Sequence, residues 1–90
     1  MRLDKFLKIS RLIKRRTVAN DACSGGRVTV NGKVAKPGHL VRVGDVLVIR
    51  FGDHFGHYEI TRVAQTVRKE DAADMYRVIL EDNGARAERD

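Results

Sequence analysis

The sequence predicts an α+β chain of one domain: two short amino-terminal helices, then a small sheet, a short carboxy-terminal helix and an acidic end. Three observations carry this. Leu3, Phe6 and Leu7 recur at helical spacing. Alternating apolar residues flank an Asn31-Gly32 pair, a favoured two-residue hairpin turn. Acidic side chains gather after residue 69.

The first helix is expected from Arg2 to about Ser10. Its apolar stripe faces the core, and Arg2, Lys5 and Lys8 face outward. Asp4 stands four residues before Lys8, a spacing that favours a surface ion pair worth about 0.3 kcal/mol. Arg11-Leu12-Ile13-Lys14-Arg15-Arg16 forms a connection anchored by Leu12 and Ile13. A second helix follows from about Thr17, its N-cap, to Ser24, with Val18, Ala19, Ala22 and Cys23 turned inward. Gly25-Gly26 stops it, because glycine enters the left-handed region without steric cost.

Arg27-Val28-Thr29-Val30 and Lys33-Val34-Ala35-Lys36 are the arms of the hairpin, and Val43-Gly44-Asp45 is a second turn. Val46 to Phe51 is a strand rich in β-branched residues. A turn over residues 52–56 leads to a strand from His57 to Val63, with Tyr58 and Ile60 on one face. Glu70, Asp71 and Asp74 suit the start of a helix, where the dipole is positive; Tyr76 to Leu80 fits either its continuation or a strand, and the helix is favoured. Residues 1–82 then form the single domain, and 83–90 a flexible tail.

Charge narrows the function. The chain of 90 residues has 18 Lys+Arg against 12 Asp+Glu, a net +6. Residues 1–69 hold 15 basic and 5 acidic side chains, a balance of +10, and residues 70–90 hold 3 and 7, a balance of −4. A positive body of this kind calls for a polyanionic partner. Arg2, Lys5, Lys8, Arg11, Lys14, Arg15 and Arg16 place seven cations in fifteen residues, and Arg27, Lys33 and Arg50 extend them onto the sheet. If the helices pack together, Arg2 and Arg16 approach near the helix starts, where planar guanidinium forks can engage phosphates bidentately.

Enzymatic readings find little. His39, His54 and His57 lack metal-site spacing, and Ser10 and Ser24 lack a histidine in a nucleophile motif. No glycine-rich loop with a lysine is present to cradle phosphate, and neither a metal nor another cofactor is expected. Cys23 is the single cysteine, so no internal disulfide forms, and a reducing, cytoplasmic setting fits. No stretch reads as a signal peptide or a membrane span. Structured RNA is favoured over DNA, because the second helix is too small and inward-facing to read base edges. Phe51, Phe55 and Tyr58 are expected in core or turn rather than as a base-stacking set.

Arg2-Leu3-Asp4-Lys5-Phe6-Leu7, Gly26-Arg27-Val28-Thr29-Val30-Asn31-Gly32 and Val43-Gly44-Asp45 resemble, in order and spacing, the S-four-type RNA-binding domain, also called the alpha-L motif. The resemblance covers about residues 1–50. It implies two helices packed on a small, mainly antiparallel sheet that binds structured rRNA or tRNA. Arg16-Thr17-Val18 departs from the arginine, small residue and serine with which many members enter the second helix.

Leu12-Ile13-Lys14-Arg15-Arg16-Thr17, Val48-Ile49-Arg50-Phe51-Gly52 and Arg68 to Tyr76 are similar to the small stand-alone branch of RqcP-like, YabO-type proteins of bacterial ribosome quality control. That likeness runs to about Leu80. It implies binding to large ribosomal subunits that carry obstructed peptidyl-tRNA, with contacts to large-subunit rRNA and tRNA. It also implies work beside RqcH in template-free alanine tailing. Off the ribosome a monomer is expected. Arg2 and Arg16 match the RNA-contacting positions; Lys5, Lys8, Arg11, Lys14, Arg15 and Arg27 are candidates from charge. A heat-shock-type relative that recycles large subunits and a helix-turn-helix DNA-binding module are the alternatives. The acidic end is expected to face away from RNA.

Overall fold

The computed structural model describes residues 1–82. Helix α1, Leu3–Ile9, and helix α2, Arg16–Ser24, precede five strands: β1 Val28–Val30, β2 Lys33–Val34, β3 Val46–Phe51, β4 His54–Ile60 and β5 Tyr76–Asp82. A 3₁₀ helix, Lys69–Met75, joins β4 to β5 after an irregular connection. All pairings are antiparallel, in the order β2-β1-β3-β4-β5. The tail expected over 83–90 lies outside the described residues.

Leu3, Phe6 and Leu7 are fully buried. They share one cluster with Ala19, Ala22 and Cys23 of α2 and with Val28, Leu47, Ile49, Tyr58 and Ile60 of the sheet. Burying each large apolar side chain contributes about 1.5–3 kcal/mol, so this cluster is what fixes the helices to the sheet. The small residues facing α1 let the two helices lie close together.

Backbone bonds also tie the amino end to the segment between β2 and β3. Leu3 N–H donates to the His39 carbonyl at 2.7 Å and Asp4 N–H to the Pro37 carbonyl at 3.1 Å. Val41 N–H donates to the Met1 carbonyl at 2.9 Å.

The turns follow the sequence. Asn31 (φ 52°) and Gly32 (φ 87°) are both left-handed, as the hairpin turn requires. The Asn31 carboxamide then reaches the second turn, donating to Asp45 Oδ1 at 3.1 Å and accepting from Val46 N–H at 3.0 Å. At the end of α2, Arg27 N–H donates to the Ala22 carbonyl and Gly26 N–H to the Cys23 carbonyl, with Gly26 at φ 76°. This double closure satisfies two of the otherwise unpaired carbonyls of the last turn.

Several expectations are corrected. Tyr76 to Leu80 is strand, not helix: β5 pairs with β4 from Tyr76↔Ile60 to Phe55↔Asp82, and only the 3₁₀ helix precedes it. The β-branched pair Val78-Ile79 suits a pleated edge better than a helix. Strand β4 starts at His54 and ends at Ile60, so the β3–β4 turn is shorter than expected. Helix α2 starts at Arg16, one residue before the expected Thr17; Arg15 is its N-cap, without a side-chain cap bond. Val18 is exposed rather than inward. Phe55 lies on β4 and is likewise exposed.

Candidate nucleic-acid interface

The site begins with one buried acid. Asp4 is placed by its α1 spacing beside Leu3 and Phe6, and it is only 2% exposed. An isolated carboxylate there would be costly, so it must be paired and hydrogen-bonded. Arg2 Nε donates to Asp4 Oδ1 at 3.1 Å and Arg2 Nη2 to Oδ2 at 3.3 Å. Arg16 Nη2 reaches Oδ1 at 3.5 Å, Asn20 Nδ2 reaches Oδ2 at 3.4 Å, and Lys5 N–H donates to Oδ1 at 2.8 Å. The surface pair expected between Asp4 and Lys8 is therefore not formed; Asp4 turns inward instead.

Burial by itself would raise the Asp4 pKa. The bonds from Arg2 and Asn20 and the charges of Arg16 and Arg2 outweigh it, and hold the group below its ordinary 3.8. The carboxylate is thus ionised at neutral pH and grips one side of each guanidinium. About half of each arginine side chain stays exposed, 51% for Arg2 and 48% for Arg16. Two half-exposed forks held by one anion keep N–H groups that no other described acceptor takes, and bidentate contact with phosphate requires such groups.

Lys5, Lys8, Arg11 and Arg16 line a groove of about 470 Å³ between α1 and residues 65–69. Lys14 and Arg15 are exposed on the connection between the helices, outside that groove. Arg27 lies apart, with Arg50, beside a hollow of about 220 Å³ formed by Leu12, Ile13, Val18 and Phe51. The structure thus brings together five of the eight expected cations: Arg2 and Arg16 on the carboxylate, and Lys5, Lys8 and Arg11 along the groove.

What sequence reasoning missed was Asp4 as the organising group. Its signal was its apolar company at a helix start, two residues from an arginine. Among the described residues, no group of three or more His, Cys, Asp or Glu is arranged to hold a metal. Burial pushes the Cys23 thiol up to about 11, with the Asp4 charge adding to the effect, so it is a buried thiol rather than a nucleophile.

The pattern of the S4 domain matches residues 1–47, which include both helices, both arginines and Asp4. The chain belongs to the S4 domain family. Its relatives include the RQC P-site tRNA stabilizing factor of Halalkalibacterium halodurans, 58% identical over 98% of this chain and 100% of that protein. The protein of the same name from Bacillus subtilis is 46% identical over 91% of this chain and 95% of its own length. Among solved structures, the trimeric heat shock protein 15 of Vibrio cholerae superposes with a TM-score of 0.80 at 31% identity, covering 99% of this chain and 88% of that one. No described helix is long and apolar enough to cross a membrane.

Proposed function

We propose that this S4 domain protein is an RNA-binding factor of ribosome quality control, acting without catalysis. It binds large ribosomal subunits that carry obstructed peptidyl-tRNA, contacts both rRNA and tRNA, and stabilises the tRNA in the P site. With RqcH it supports template-free alanine tailing of the stalled chain. The setting is the cytoplasm, and off the ribosome the protein is a monomer. The observation that carries this reading is the convergence of Arg2 and Arg16 on Asp4, within the stretch that matches the S4 domain. Relatives named for stabilising P-site tRNA support the ribosomal setting.

Arg2 and Arg16 are the primary RNA contacts, Lys5, Lys8 and Arg11 secondary ones, and Lys14, Arg15 and Arg27 contribute general attraction. The test is affinity purification from cells followed by sedimentation. Recovery with free large subunits bearing peptidyl-tRNA is the expected result; recovery with DNA, or with no nucleic acid, overturns it. The likeness to heat shock protein 15 favours a second reading, recycling of large subunits with nascent chains. Unchanged alanine tailing after deletion of the gene would select it. A DNA-reading role for α2 is disfavoured, because its exposed positions include Val18 and the acidic Asp21.

A further inference from the structure

The groove beside α1 has a second wall that belongs to neither helix. Residues 61–68, Thr-Arg-Val-Ala-Gln-Thr-Val-Arg, leave β4 without regular structure, and Lys69 opens the 3₁₀ helix. They are nevertheless anchored. Thr61 N–H and Arg62 N–H both donate to the Met75 carbonyl, and Thr61 Oγ1 donates to the Asp74 carbonyl at 2.8 Å. Val63 and Val67 pack against the core, and the 3₁₀ helix that follows is held by buried Ala72 and Met75. Arg68 and Lys69, next to the Val67 anchor, are exposed and line the groove opposite Lys5, Lys8 and Arg11. Lys5 Nζ donates to Gln65 Oε1 at 2.6 Å and joins the walls. The acid nearest Arg68 is Glu70, 3.7 Å away in an exposed pair, which water and salt screen.

Arg11 adds an independent observation. It follows the C-cap Ser10 with φ 65°, the left-handed position that glycine commonly fills at helix ends. An arginine there is less favourable for folding than a glycine, and its side chain lines the groove.

We propose that the groove between α1 and residues 65–69 holds a stretch of RNA sugar-phosphate backbone, with Arg68 and Lys69 as phosphate contacts outside the S4-matched segment. The inference rests on the RNA-binding reading above. Cations line both walls, and Ile9 and Val67 supply apolar surface between them. Arg16 belongs both to this groove and to the Asp4 cluster, so a strand leaving the two anchored arginines runs directly into it. An RNA strand carries regularly spaced charge that can meet both walls at once, which favours it over an acidic peptide.

The test uses the full chain and large ribosomal subunits carrying peptidyl-tRNA, with binding followed by sedimentation across a series of salt concentrations. Arg68→Ala with Lys69→Ala is expected to weaken binding roughly tenfold and flatten the log-salt slope by about 1.5–2 units, the value for two lost phosphate contacts. Lys36→Ala with Arg42→Ala removes the same charge from exposed positions away from the groove lining, and should change affinity less than about threefold. Arg11→Gly should weaken binding while the melting temperature stays level or rises.

The groove proposal is overturned if the Arg68/Lys69 variant matches the Lys36/Arg42 control while Arg2→Ala still weakens binding; the RNA-binding reading then survives. It is also overturned if Arg11→Gly binds as the parent does. Failure of the parent protein to bind these subunits overturns both readings together.

Discussion

Two sets of cations lie within sixteen residues of each other, and the fold treats them differently. Arg2 and Arg16 share a buried carboxylate, whereas Lys14 and Arg15 stand exposed on the connection with no ion-pair partner among the described residues. Both sets raise the local potential. Only the first arrives with its geometry already fixed, so it loses less conformational freedom when RNA binds. Charge density and preorganisation are separate properties of a binding surface. A linear sequence displays the first far better than the second.

The largest test of that difference is Asp4→Ala. It leaves two guanidinium groups and Asn20 without their acceptor, and should cost about 1–3 kcal/mol of stability. It should also lower RNA affinity as far as the Arg2→Ala, Arg16→Ala double variant does, although it makes the chain more positive. Tighter binding by Asp4→Ala would show that net charge alone governs the site. Asp4→Asn serves as the milder form if the alanine variant unfolds.

Next in size, Arg2→Ala and Arg16→Ala should each flatten the log-salt slope by about one unit and weaken binding roughly tenfold. Lys14→Ala with Arg15→Ala should reduce affinity by no more than about threefold. An equal loss from the two pairs would erase the distinction.

A pH series sharpens it further. The Asp4 pKa is lowered on folding, so its contribution is fully present above the unfolded value of 3.8 and disappears as pH falls through the folded value. The stability gap between the parent and Asp4→Asn, measured by urea unfolding, should therefore hold from neutral pH to about pH 5 and close in stronger acid. The smallest expected effect concerns Cys23. With its pKa raised to about 11, it should resist iodoacetamide at pH 8 until the protein is unfolded.

Much of the fold was legible, for identifiable reasons. Periodicity at Leu3, Phe6 and Leu7 reported α1 directly, and the Asn31-Gly32 and Gly25-Gly26 pairs marked a turn and a helix end through backbone conformations that few other residues accept. Tyr76 to Leu80 failed because a seven-residue edge strand lacks clean alternation: Val78, Ile79 and Leu80 are all exposed. The β4–β5 register shift between His57 and Tyr58 is not written in any local pattern either.

Gly56 was absorbed into an expected turn, yet it sits buried in β4, and a side chain there would collide with the Tyr58 ring folded over it. At the site, the arginines were legible from charge and family likeness. Asp4 was not, because the same i, i+4 spacing to Lys8 describes a surface pair equally well. Which of the two forms depends on packing with α2, twelve residues away.

The stitching of the amino end to residues 37–41 bears on how the protein is made. Met1 to Asp4 leave the ribosomal exit tunnel well before their hydrogen-bond partners at Pro37, His39 and Val41. Strand β3, whose Leu47 and Ile49 help bury Leu3 and Phe6, follows still later. Residues 1–4 therefore wait for native surroundings that are made after them, and the basic first segment of each new copy stays unassembled beside the ribosome that is translating it.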